Sequence, residues 1–144
     1  MSCPFCVGEN IRDRMIYKDD LVMSFPSNTP IVPGHVLVCP VRHTNIVDEL
    51  TNDEVIAIKD CIVRLKQALR HALNAQGFNV AWNEGEIAGQ SVNHLHVHVV
   101  PRKEGDAGIH EYEPRKFLYR PGSRNTSSEK ELQEIVEHIK RNLA

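Results

Sequence analysis

Apolar positions along this chain repeat with two periods, and each period assigns a type of element. Val55, Ile58, Ile62, Leu65, Leu69 and Leu73 recur every three or four residues, which places them on one stripe of a helix. Thr51-Asn52-Asp53-Glu54 ahead of them is a capping-box pattern, and Gly77 follows the last turn. A second stripe, Leu132, Ile135, Val136, Ile139 and Leu143, follows Ser128-Glu129-Lys130-Glu131 and predicts a C-terminal helix. Shorter apolar runs predict strands at Arg14–Tyr17, Leu21–Phe25, Val36–Cys39, Phe78–Trp82 and His94–Val100. Lys18-Asp19-Asp20 reads as a hairpin turn between the first two runs. Pro26, Asn28, Pro30, Pro33 and Gly34 make a stiff loop, and Pro40 and Pro101 stop the runs before them. The expected fold class is α+β: an antiparallel sheet of about five strands carrying a long helix and a C-terminal helix. One domain is expected over residues 1–144, with its core at about 3–106 and a C-terminal loop and helix at 107–144.

The last predicted strand carries the chemistry. In His94-Leu95-His96-Val97-His98-Val99-Val100, three histidines alternate with aliphatic residues. Strand geometry sends the aliphatic row to one face and the imidazole row to the other. An imidazole buried without partners costs about 1–3 kcal/mol, so three in register mark a site rather than a packing choice. Directly upstream, Asn83-Glu84-Gly85-Glu86-Ile87-Ala88-Gly89-Gln90-Ser91 offers glycine backbone and the neutral donors Asn83, Gln90 and Ser91. Such a loop suits an anion such as phosphate, and the competing reading is an ordinary hairpin connection.

Composition narrows the partners. Of 144 residues, 41% are hydrophobic and 25% charged, ordinary values for a globular domain. A formal net charge of −2 supplies no bulk attraction to nucleic acid or to an anionic membrane, so neither is an expected partner. No apolar run reaches the length of a membrane span, and the N-terminus lacks a signal-peptide pattern. Four cysteines without an export signal point to a reducing compartment, and the expected location is cytoplasmic. Cys3 and Cys6 form a CxxC whose readings are a metal site, unligated thiols or a redox pair; no βαβ pattern surrounds it, which weakens the last. Cys39 and Cys61 are read as small buried apolar groups, and His71 and His138 as solvated helix positions. Trp82 is read as a core or interface aromatic, and Arg102 and Lys103 as surface charge. His110 and the basic residues between Arg115 and Arg124 carry no assigned role.

Ala88-Gly89-Gln90-Ser91-Val92 followed by His94-Leu95-His96-Val97-His98-Val99-Val100 resembles the histidine triad family of nucleotide hydrolases and nucleotidyltransferases. Val32-Pro33-Gly34-His35-Val36-Leu37-Val38-Cys39-Pro40 and Pro101-Arg102-Lys103-Glu104-Gly105-Asp106 are similar to the flanks of its fragile-histidine-triad branch. The resemblance runs from about Cys3 to Asp106 and implies the α+β fold of that family. It further implies that His96 is a nucleophile that becomes nucleotidylated at an α-phosphorus, and that His98 protonates the leaving group. Asn83, Gly89, Gln90 and Ser91 match positions around the phosphates, and Asn28 lies in the nucleoside-binding stretch. His35 matches a supporting histidine behind the triad. Transferase branches carry glutamine where this chain has His98, which favours hydrolysis.

Many microbial members of that family bind zinc through the equivalents of Cys3, Cys6, His43 and His94, so the resemblance implies a structural Zn2+ site. No catalytic cofactor is expected. The expected substrate is a nucleotide conjugate with a purine base: a dinucleoside polyphosphate, or alternatively a nucleoside phosphoramidate. A homodimer through the long helix and its neighbouring strand is expected by family likeness. Two other classes stay open: a catalytic metal held by the histidine row, and a nucleotide-binding regulator without turnover.

Overall fold

The computed structural model describes residues 3–107 and 127–143. The chain divides into two units, residues 1–108 and 109–144, and each is described by itself. The first begins with two short helices, α1 (Pro4–Val7) and α2 (Glu9–Asp13). Strands β1 (Tyr17–Lys18), β2 (Val22–Pro26) and β3 (Val36–Pro40) follow, then the long helix α3 (Asn52–Leu73). Strands β4 (Gly77–Ala81) and β5 (Val97–Arg102) complete the sheet. It has five strands, all antiparallel, in the order β1-β2-β3-β5-β4, the α+β fold that the sequence predicts. Among the described residues, no helix is long and apolar enough to cross a membrane.

Helix α3 starts where its capping box places it. The Thr51 hydroxyl accepts from the Glu54 N–H at 3.1 Å, and the Glu54 carboxylate accepts from the Thr51 N–H at 2.9 Å. Arg42 donates two further bonds to that carboxylate, at 2.7 and 3.2 Å, and this arginine holds the Glu54 carboxyl below the usual carboxylate range. The helix ends at Asn74, which adopts the left-handed conformation at φ 56°. Ile58, Cys61, Leu65 and Leu69 pack against Val22, Val36, Val38, Val97 and Val99 in one core layer. The stripe is thus rotated from the one that the sequence predicts: Val55 is 47% exposed and Cys61 is buried in its place. Cys61 and Cys39 are both buried, as small apolar groups would be.

The other face of the sheet packs Met23, Phe25, Leu37 and Cys39 against Ile11 of α2 and Phe5 of α1. By strand alternation His98 lies on this second face, because its neighbours Val97 and Val99 belong to the α3 layer. One element differs from the expected ones: Arg14–Ile16 precede the first strand, which is Tyr17–Lys18. The CxxC opens α1, with Cys3 as its N-cap.

The histidine strand also begins later than its pattern predicts. β5 starts at Val97, so only His98 of the three histidines lies in it. The β3–β5 ladder ends at Val38↔Val97. Pro40 has no N–H to donate, and its carbonyl accepts from the His94 ring instead, at 2.8 Å. Pro101 does not stop the strand, which runs on to Arg102. The pairing to β3 ends at Val99, so the missing N–H falls where the strand is open on one side.

In the second unit, α4 (Glu129–Asn142) is capped by the Ser128 hydroxyl, which accepts from the Glu131 N–H at 3.2 Å. Its predicted apolar stripe is exposed from Leu132 to Ile139. His71 and His138 are exposed on their helices, as expected. His110 and the Arg115–Arg124 stretch lie outside the described residues.

Candidate active site and metal centre

Hydrogen bonds to the backbone assign the proton on each ring of the triad. The Ile31 N–H donates to His35 Nδ1 at 3.0 Å, so that nitrogen is bare and a neutral His35 carries its proton on Nε2. His35 Nε2 stands 2.9 Å from His98 Nδ1 and donates to it. His98 therefore holds its own proton on Nε2, which nothing in the described chain takes up. Burial, followed by the neighbouring His96 and His35, pushes the His98 ring down to about 4. Burial lowers His35 as well. Both rings are neutral near pH 7.

His96 has the opposite polarity. Its Nδ1–H donates to the His94 carbonyl at 2.8 Å, which leaves the Nε2 lone pair unprotonated. The ring is buried and meets the edge of Phe5 at a centroid distance of 5.3 Å. The His96 and His98 rings stand 5.1 Å apart. Side by side, then, are an imidazole with a bare nitrogen and an imidazole with an N–H to donate.

These neutral rings make stability sensitive to acid. In the unfolded chain a histidine takes up its proton near pH 6.5, whereas folded His98 resists until about 4. The unfolded state binds more protons between these values, so stability is full above pH 6.5 and falls as pH drops toward 4. At pH 5, His98 alone should cost about 2 kcal/mol relative to pH 7. Urea unfolding across pH 5–7.5 checks this: the fall should be shallower in His98→Ala, and an equal slope would refute it.

The loop upstream is built around Gln90. Its Oε1 accepts from the Gly85 N–H at 2.8 Å and its Nε2 donates to the Asn45 carbonyl at 3.0 Å. Gln90 is buried, so its side chain holds the loop closed and ties it to the segment after β3. Gly85 and Gly89 have φ of 88° and 96°, where glycine is the favoured residue. Asn83 lies against Gly89, and its Nδ2 comes within 3.6 Å of where a Cβ would sit. Asn83, Gly89 and Ser91 are exposed at this loop. Asn28 is exposed on the loop around His35, where its Oδ1 accepts from Arg14.

Beside the triad, donor atoms of Cys3, Cys6, His43 and His94 all lie within 4.8 Å of one another. His94 Nδ1 is 3.4 Å from Cys3 Sγ and 3.5 Å from Cys6 Sγ, and His43 Nδ1 is 3.6 Å from Cys6 Sγ. Two donors on a tetrahedral ion with ordinary Zn–S and Zn–N lengths stand about 3.6 Å apart, so the set fits such an ion. The His94 ring is prepared for it. Its Nε2–H donates to the Pro40 carbonyl at 2.8 Å, which leaves Nδ1 as the ligating nitrogen. Burial and the neighbouring Cys3 raise the Cys6 thiol, so metal entry must release protons. The His94 backbone carbonyl faces His96 while its ring faces the thiols, so one residue joins the two centres.

Sequence patterns miss three groups here. Phe5 packs edge-on against Phe25, His94 and His96, and its place inside the CxxC was the available signal. The Pro40 carbonyl and the Ile31 N–H, which set two tautomers, have no signature in side-chain type.

Three closely spaced imidazoles at the start of β5 with an adjoining Cys2His2 donor set make up a histidine triad. Residues 8–105 match the HIT domain, and the chain belongs to this family. It is 35% identical to an uncharacterized HIT-like protein of Methanocaldococcus jannaschii over 109 residues, 74% of this chain and 84% of that one. It is 33% identical to a bis(5'-adenosyl)-triphosphatase of Dictyostelium discoideum, across 66% of this chain and 64% of that enzyme. The crystal structure of a Zn-bound histidine triad family protein from Mycobacterium smegmatis superposes with a TM-score of 0.66 at 34% identity, covering 76% of this chain and 81% of that one.

Proposed function

We propose that this protein hydrolyses dinucleoside polyphosphates at the α-phosphate through a nucleotidyl-His96 intermediate and releases a nucleoside monophosphate. The observation that carries the reading is the pair of opposed tautomers: Nε2 bare on His96, Nε2 protonated on His98. His96 Nε2 attacks the α-phosphorus and forms a P–N bond as the P–O bond to the leaving group breaks. The His98 Nε2–H donates a hydrogen bond to the departing phosphate oxygen and stabilises the negative charge it carries away. Water then attacks the phosphoramidate and releases a proton to solvent, the P–N bond breaks with its electron pair returning to His96 Nε2, and the nucleoside monophosphate is released. Asn83, Gly89 and Ser91 border the phosphates, and Gln90 holds their loop in place. The Dictyostelium relative, a bis(5'-adenosyl)-triphosphatase, supports an adenine dinucleotide as substrate.

No resident cofactor enters these steps. Cys3, Cys6, His43 and His94 hold a structural Zn2+, which supplies a cross-link between the N-terminal turn and the segment bearing His96. The Mycobacterium neighbour, Zn-bound by its description, supports that ion.

Rapid quench with diadenosine triphosphate and, separately, adenosine phosphoramidate tests the chemistry by intact mass. An adenylyl adduct on His96 is expected from both, with the faster formation from the triphosphate. An adduct elsewhere, or a clear preference for the phosphoramidate, would reject the corresponding half of the reading.

The protein also acts as a homodimer in this reading. Val55 and Val63 of α3, Val80 of the edge strand β4 and the adjoining Trp82 are 40–47% exposed and border one apolar groove. Sedimentation should give a dimer that Val63→Glu converts to a monomer, and a monomeric wild type would reject it.

A further inference from the structure

The loop from Ser27 to Ile31 wraps around His35, the residue that contacts His98 of the triad. The Ser27 N–H donates to the His35 carbonyl at 3.0 Å and the Ile31 N–H to its ring at 3.0 Å. Asn28 sits between these two anchors, with its side chain toward solvent. One group reaches it from outside the loop. Arg14, just past the end of α2, donates from Nε to the Asn10 carbonyl at 3.0 Å and from Nη1 to Asn28 Oδ1.

Each bond has a consequence. The Asn10 carbonyl is one of the open carbonyls at the end of α2, so the first bond fixes the guanidinium on that helix. The second occupies the acceptor of Asn28. An amide whose oxygen points at Arg14 turns its two N–H groups the other way. Among the described residues, Arg14 has no carboxylate partner, so an ion pair does not explain its placement.

We infer that Arg14 is a positioning residue for substrate: it locks the Asn28 amide so that its N–H groups face the site and donate to acceptor oxygens of the bound nucleoside. This deepens the nucleotide reading proposed above and rests on it. The chemistry selected is a ligand that offers hydroxyl or ring acceptors at that loop, as the sugar of a nucleotide does.

The test measures AMP affinity by calorimetry, and kcat and KM with diadenosine triphosphate, on the whole protein. Arg14→Ala should raise both KM and the AMP Kd about fivefold, the worth of one hydrogen bond, with kcat within twofold. Asn28→Ala should match it, and the double variant should be no worse than either single one. Asn28→Asp keeps an acceptor for Arg14 but loses the donors, so it should bind AMP as weakly as Asn28→Ala. Arg14→Lys offers one ammonium in place of the planar fork and should fall between Arg14→Ala and wild type.

Unchanged KM and Kd in Arg14→Ala, or additive losses in the double variant, would overturn the inference. So would wild-type affinity in Asn28→Asp, or a fall in kcat that tracks Tm, which marks a structural brace. Wild type that binds AMP without turnover would reject the hydrolase reading alone, since the affinities still report on Arg14. Wild type that binds no AMP would reject both.

Discussion

Replacing His96 with alanine should lower turnover of diadenosine triphosphate by about 10⁴-fold or more, the scale of losing a covalent nucleophile. The reason lies in one bond. His96 Nδ1–H is held by the His94 carbonyl, so in the neutral ring the lone pair offered to phosphorus is the one on Nε2. Alanine removes that nitrogen and leaves the phosphate loop intact, because Gln90 fixes the loop through Gly85 and Asn45 rather than through His96. AMP affinity should therefore stay within a fewfold of wild type. His98→Ala should cost less, about 10²- to 10³-fold, because water can partly replace a hydrogen-bond donor to the leaving group. Steady-state rates and calorimetry on the two variants check this ordering. Residual turnover in His96→Ala above that of His98→Ala would remove His96 as the nucleophile.

The second large effect concerns the metal. Purified protein should carry one zinc per chain, and Cys6→Ser should lose it and lower Tm by about 10 °C, equivalent to about 3 kcal/mol in a domain of this size. Cys3 and Cys6 bracket the first turn of the chain, while His43 and His94 lie beyond β3 and before β5. An ion on all four would pin an end that otherwise contributes only a few side chains, Phe5, Ile11 and Met15, to that face. Turnover should survive a chelator to within tenfold, since His94 keeps its Pro40 bond without metal and still offers its carbonyl to His96. Elemental analysis, calorimetric Tm and chelator-treated rates make three separate measurements. Zinc retained in Cys6→Ser would reject this ligand set. Full loss of turnover at unchanged Tm would move the metal into the chemistry.

The boundaries of the elements were legible where side chains alone fix them. Thr51 and Glu54 form their capping box in both directions, and the valines of β3 and β5 alternate as strand residues should. The strand beneath His94 and His96 was not legible. Its pattern is that of a strand, yet the ladder stops because Pro40 has no N–H and gives its carbonyl to a ring. Arg14 reads as the polar start of a strand run, and only the end of α2 makes it a reach toward Asn28. The role of Gln90 shifted for a related reason: its donors look free in sequence, but burial commits them to backbone.

By itself, the sequence determined the class of fold, the family and the cluster of residues in which the chemistry lies. Those properties follow from local periodicity and from residue types at fixed spacing, which any chain of this sequence carries. Tertiary structure alone decided how three similar imidazoles become different groups. His94 turns its ring toward two thiols 88 and 91 residues away, and His98 receives its proton pattern from a histidine 63 residues earlier. Backbone carbonyls and N–H groups set the tautomers, and every residue has these groups, so no residue pattern encodes which one will arrive. The alternation of histidines located the site, and the hydrogen bonds around it gave each ring its nitrogen.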